Sequence, residues 1–166
     1  MRNFRYLLLV AGASCLCSAP ALAQTKFSWT DTCGKADPQH MLPAGDRPDH
    51  SFGVEQLKCT ATKPLEIGTD KGKEAVATDI TDATGTRARF HGVYVLTMQS
   101  GDKAFAPYQG TATTSKDGKP IESHGTFTFS GGSGKLKGLK GKGTFTCKAA
   151  GEGYTCDAEG EYQLGK

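Results

Sequence analysis

Helical periodicity is missing from this sequence past its first residues, and that excludes a helical bundle and any fold built on helix-covered parallel strands. Beyond residue 23 there is no second long apolar run, so nothing there spans a bilayer as a helix. Close cysteine pairs of the C-x2-C kind are absent, as is H-x-x-x-H, which removes the local spacings of a zinc site. No nucleophile elbow precedes a helix, so serine-histidine-acid catalysis has no frame to sit on. A strong excess of one charge is lacking too: the formal net charge is +3. That balance does not suit a nucleic-acid partner, and none is expected.

What is present begins with a leader. Arg2 and Arg5 precede a short, mostly apolar run from Tyr6 to Cys17, and Ala21-Leu22-Ala23 offers the small residues that a signal peptidase needs before Gln24. Residues 1–23 are therefore expected to be an export signal, and 24–166 a single domain that is periplasmic or secreted. Cys15 and Cys17 lack the surroundings of a lipoprotein signal. Taking away Arg2 and Arg5 lowers 20 cationic residues to 18 against 17 acidic ones, a formal charge of +1. Four cysteines remain, Cys33, Cys59, Cys147 and Cys156, and an even count in an exported chain reads as two disulfides.

Short runs rich in threonine, valine and aromatics recur between glycine, aspartate and lysine, which is an all-β pattern. Expected strands cover 27–30, 51–62, 73–82, 86–99, 104–115, 120–129, 143–150 and 153–164. Ala83-Thr84-Gly85 and Ser100-Gly101-Asp102-Lys103 supply turns, and Asp117-Gly118 is the strongest short hairpin signal. The long proline-bearing segment 34–58 reads largely as a loop. The last hairpin is specified most fully. A two-residue turn at Gly151-Glu152 sets 150 opposite 153 and 147 opposite 156, and places the two cysteines on a non-hydrogen-bonded pair, within disulfide reach. The same register puts Phe145, Ala149, Tyr154, Ala158, Tyr162 and Leu164 on the cysteine face. Cys33 then pairs with Cys59. Seven or eight such strands close into a barrel or pack as a sandwich, and strand counting alone leaves both open.

The stretches "SGDKAFAPYQGTAT" and "GTFTFSGGSGKLKGLKGKGTFTC" carry a family likeness: a Gly-Asp turn, a strand ending in aromatic-x-Gly, then Phe-x-Gly-Gly-Ser-Gly-Lys with further spaced glycines. From Gly92 to Leu164 the chain resembles bacterial exported proteins grouped with the allene oxide cyclase-like barrels, related in fold to plant dirigent proteins. The resemblance implies an eight-stranded antiparallel β-barrel of the calycin type with a central cavity. The plant cyclases rearrange an oxygenated fatty acid and dirigent proteins steer a radical coupling, but the cavity acids and arginines of neither family map onto this sequence residue by residue. Fold transfers from the resemblance, and chemistry does not.

The glycine-lysine stretch itself is no phosphate loop. Lys135 is followed by Leu136 rather than Ser or Thr, the third glycine of a dinucleotide loop is misplaced, and no helix is expected to start there. It reads as a tight turn with positive-φ glycines and close backbone approach, its Lys135, Lys137, Lys140 and Lys142 forming a solvated basic rim. His40 and His50 accompany Asp37, Asp46 and Asp49 without ligand spacing, so no metal is assigned and no cofactor expected. His91 and His124 read as hydrogen-bonded barrel residues. Asp79, Asp82 and Glu74 are expected on a strand's solvent face, which removes them as paired catalytic carboxylates.

Aromatics are the better lead. Tyr94, Phe105, Tyr108, Phe127, Phe129, Phe145, Tyr154 and Tyr162 are the expected interior residues, and they either fill the barrel or line a ligand cavity. An outer-membrane barrel is disfavoured because the outward positions read as Thr, Lys and Asp. The resulting expectation is an exported, non-catalytic barrel holding a small hydrophobic ligand. The alternatives are a cyclase or isomerase acting on a lipid-like substrate, and an anion- or polysaccharide-binding module using the 135–142 rim. Peptide mapping without reductant is expected to recover Cys33–Cys59 and Cys147–Cys156; a Cys33–Cys147 peptide would overturn the hairpin register.

Overall fold

Period-two alternation with glycine-bearing turns produces eleven strands among the described residues. A computed structural model describes residues 24–117 and 119–165. The leader, Gly118 of the expected hairpin turn and Lys166 lie outside the described residues. The strands are β1 (Thr25–Cys33), β2 (Gln39–Pro43), β3 (His50–Lys63), β4 (Glu66–Ile67), β5 (Asp70–Thr84), β6 (Arg87–Met98), β7 (Lys103–Thr114), β8 (Pro120–Phe129), β9 (Gly131–Gly132), β10 (Leu139–Ala150) and β11 (Gly153–Leu164). Eight of them run antiparallel in the order β1-β11-β10-β8-β7-β6-β5-β3, and β3 pairs back onto β1 to close the barrel. Closure removes the open sheet edges that a sandwich would leave.

The final hairpin has the expected register, with Ala150 opposite Gly153 and Cys147 opposite Cys156. Both disulfides form, Cys33–Cys59 and Cys147–Cys156, with Cα atoms 3.9 and 4.0 Å apart. The 34–58 segment is loop only at 34–38 and 44–49. Gln39–Pro43 pairs with β3 above the end of β1, Gln39 opposite Glu55 and Pro43 opposite Ser51, so most of this segment is ordered hairpin. Its proline and aspartate content hid the strand, because prolines are tolerated where one edge stays unpaired. At the hairpin's far end His50 is held by Asp46 (2.6 Å) and Asp82 (3.0 Å), one carboxylate on each ring nitrogen. These two carboxylates hold its imidazole above the ordinary histidine range, the Asp46 contact contributing most.

The barrel has a closed and an open end. Leu65, Ile67, Leu96, Met98, Phe129, Leu136 and Leu139 are buried at the closed end. There the glycine-lysine stretch folds as a plug, with a single 3₁₀ turn over Gly134–Leu136 where no helix was expected. Gly134 has φ +50°, and a Cβ there would lie 2.0 Å from Asp102 Oδ1, the carboxylate whose other oxygen accepts the Lys135 backbone N–H at 3.0 Å. Leu136 and Leu139 point into the core from this plug, while Lys135, Lys137, Lys140 and Lys142 stay in water.

Inside, aromatic rings lie over glycines on the neighbouring strand. Phe27 is opposite Gly160, Phe127 opposite Gly143, Phe129 opposite Gly141, Phe145 opposite Gly125 and Phe90 opposite Gly110. A methyl group at Gly143 would come within 2.4 Å of Phe127 Cζ, and at Gly125 within 2.6 Å of Phe145 Cζ. The absent side chain is the space the ring occupies.

Outward positions differ around the barrel. On β10 and β11 they are Thr, Lys, Asp and Glu as expected, but Leu42, Phe52, Val54, Ile80 and Val93 are also exposed, on β2, β3, β5 and β6. No helix among the described residues is long and apolar enough to cross a membrane. Gly125→Ala, whose Cβ would sit 2.1 Å from Gln109 O, is expected to cost about 1–3 kcal/mol in urea unfolding. Gly34→Ala, whose nearest neighbour is 3.9 Å away, should change stability by less than about 0.5 kcal/mol.

Candidate functional site

The interior changes character along the barrel axis. Phe27, Trp29, Phe127, Phe129 and Tyr162 stack as a ring cluster above the plug, Trp29 and Phe127 with centroids 5.1 Å apart and Phe27 and Trp29 5.3 Å apart. Above them the inward residues shrink to Ala77, Ala83, Ala88, Ala106, Ala112, Thr81 and Ser123. Small side chains at those levels do not meet across the barrel. A cavity of about 550 Å³ results, a size suited to small-molecule ligands. Lys35, Gln39, Met41 and Glu152 stand at its mouth, at the end opposite the plug.

Among the expected interior aromatics, Tyr94, Tyr108, Phe127, Phe145 and Tyr154 line this cavity. Phe129 and Tyr162 belong instead to the packed lower core, and the Tyr162 hydroxyl accepts the Gly68 backbone N–H at 3.3 Å. Phe105 points outward and is 36% exposed, because Ala104 and Ala106 take the inward positions of β7. His91 and His124 are exposed on the outer surface, His124 within hydrogen-bond distance of Thr111 Oγ1 at 3.2 Å. The basic rim lies at the closed end, away from the cavity mouth. Both disulfides are part of the cavity wall.

Asp79 corrects the sequence reading. It is 6% exposed and faces the interior with Ala75 and Ala77, whereas Asp82 and Glu74 face outward as expected. The inversion has a simple cause: β5 places Ile80 outside at 50% exposure and small or polar residues inside, so its hydropathy pattern points the wrong way. The parity of Ala75 and Ala77 was the available signal. Asp31, also missed, is 3% exposed on β1.

Each buried aspartate is paired with a tyrosine. Asp31 Oδ2 accepts from Trp29 Nε1 at 2.9 Å and from the Tyr94 hydroxyl. Asp79 Oδ2 accepts from the Tyr108 hydroxyl at 2.7 Å, while Asp79 Oδ1 has no hydrogen-bond partner. Desolvation raises Asp31 above the usual carboxylate range, with the Tyr94 and Trp29 hydrogen bonds opposing it. For Asp79 desolvation outweighs the Tyr108 hydrogen bond, and its pKa is pushed up to about 6. Burial, with the adjoining carboxylates, likewise raises Tyr94 and Tyr108, so both phenols remain donors at neutral pH. Glu55 completes the acidic wall, its Oε2 receiving Gln39 Nε2 at 2.6 Å.

The arrangement can therefore enclose an apolar molecule and offer it a carboxylate and several ring faces. Among the described residues, no group of three or more histidine, cysteine or acidic side chains is arranged to hold a metal ion. No family model and no curated protein matches the chain.

Asp79 links the cavity to stability. Its folded pKa, about 6, lies above its unfolded value of 3.8, so its favourable contribution is complete below about pH 4 and is lost as pH rises through 6. Asp79→Asn should then be more stable than the parent at pH 7 by on the order of 1–2 kcal/mol, with the difference vanishing near pH 4. Urea midpoints across that range measure it, and a pH-independent difference would contradict the buried titration.

Proposed function

We propose that this chain is an exported barrel protein that binds a small hydrophobic molecule in the open half of its interior, without turning it over. The observation that carries the reading is the 550 Å³ cavity, walled by Phe90, Tyr108, Phe145 and Tyr154 and open at the end away from the plug. Apolar walls with a few fixed polar groups are how small-molecule sites gain both affinity and orientation. Export is supported by the leader-like pattern of residues 1–23 and by two disulfides, which persist in oxidising compartments. Kinship with the allene oxide cyclase-like barrels is part of the same proposal. Its support is the motif over Gly92–Leu164 together with eight-strand closure.

Native mass spectrometry of protein from its own host, followed by solvent extraction, is expected to reveal a bound apolar molecule. With emptied protein, Nile red fluorescence should report micromolar binding that weakens at least about tenfold in Ser123→Phe and Ala112→Phe, which fill the cavity. Unaltered binding in both variants would place the dye elsewhere and overturn the reading.

A further inference from the structure

The cavity's charges are one-sided. Four acidic side chains, Asp31, Glu55, Asp79 and Glu152, line it against one lysine, Lys35, at the mouth. Asp31 is satisfied by Trp29 and Tyr94, and Glu55 by Gln39. Asp79 is different: buried and on the cavity wall, it has one oxygen held by Tyr108 and the other without a donor. An unpartnered carboxylate oxygen in a poorly hydrated site is costly, and a ligand that supplies the missing donor recovers that cost. A cationic donor recovers the most, because it also offsets the charge.

The rings around Asp79 favour the same chemistry. Phe90, Tyr108 and Phe145 form one cluster with centroid separations of 6.0 to 6.2 Å, and all three line the cavity. Aromatic faces attract ammonium groups and repel carboxylates. A fatty acid would bring a negative headgroup into an acidic, aromatic pocket.

We propose that the cavity's ligand is an apolar amine whose protonated nitrogen pairs with the Asp79 carboxylate beside the Phe90, Tyr108 and Phe145 rings. This rests on the ligand-binding reading above and specifies its chemistry. The titratable groups facing Asp79 are the Tyr108 hydroxyl, Glu55 and the Tyr154 hydroxyl within the barrel, with the Asp31–Tyr94 pair deeper and His91 on the outer side of β6. Asp79 titrates near 6, so it is ionised at neutral pH and available to an ammonium group.

The test compares phenylbutylamine, phenylbutanol and phenylbutyrate, three probes of one shape and different charge, by calorimetry on emptied protein. The amine is expected to bind at least about tenfold tighter than the alcohol, with the acid weakest. Asp79→Asn should reduce the amine's advantage to less than about threefold while leaving the alcohol within about twofold. In the parent protein, with no substitution, amine affinity should fall about tenfold from about pH 7.5 to about pH 5 while alcohol affinity stays level. If the alcohol binds and the amine binds no tighter, the amine assignment fails and the apolar-cavity reading stands. If none of the three binds at millimolar concentration, the cavity reading itself fails.

Discussion

Opposing an aromatic ring to a glycine on the adjacent strand is the constraint on which the rest of this structure depends. A small closed barrel has little interior room, and large side chains at every inward position would not fit. Glycines at 110, 125, 141, 143 and 160 clear a place for Phe90, Phe145, Phe129, Phe127 and Phe27 in turn. Each ring covers the bare backbone of its neighbour, which restores apolar contact where glycine supplies none. The lower interior is thereby filled without displacing the strands.

The cavity follows from where that pattern thins. Toward the mouth the rings remain on one wall, while the facing strands carry alanine, threonine and serine. Between the two regimes lie the aspartate–tyrosine pairs, which tie buried carboxylates to the walls instead of leaving them to collapse inward. Asp79 carries an ionisation cost that a tighter apolar packing would avoid. Both disulfides sit in the same upper half, where fewer core contacts hold the walls together. Bridges in this place offset the packing that the cavity gives up.

Much of this was legible in the sequence. Cys147 and Cys156 announced their own register, because a turn at Gly151-Glu152 fixes which residues oppose each other, and the aromatic parity of β8, β10 and β11 agreed with it. The glycine-lysine stretch was readable as a turn, although its role as a hydrophobic plug depends on Leu136 and Leu139 meeting side chains far away in sequence. Asp79 was not legible from hydropathy, since β5 puts its aliphatics outside and its acid inside. Phe105 erred the other way, an aromatic counted as interior on a strand whose alanines already occupied that face. The β2 strand was hidden by Pro38 and Pro43 at its two ends, and its pairing with β3 leaves no alternation of hydrophobic and polar residues to read, since all five of its residues are exposed.

One half of the barrel is packed, and we propose that the cavity in the other half receives a ligand. Chemical-shift mapping of the folded protein during titration with a neutral apolar probe tests it directly. Perturbations are expected at Phe90, Tyr108, Phe145 and Tyr154, with Leu65, Leu96, Met98 and Leu139 unmoved. Shifts confined to the outer residues Phe52, Val54 and Ile80 would contradict it.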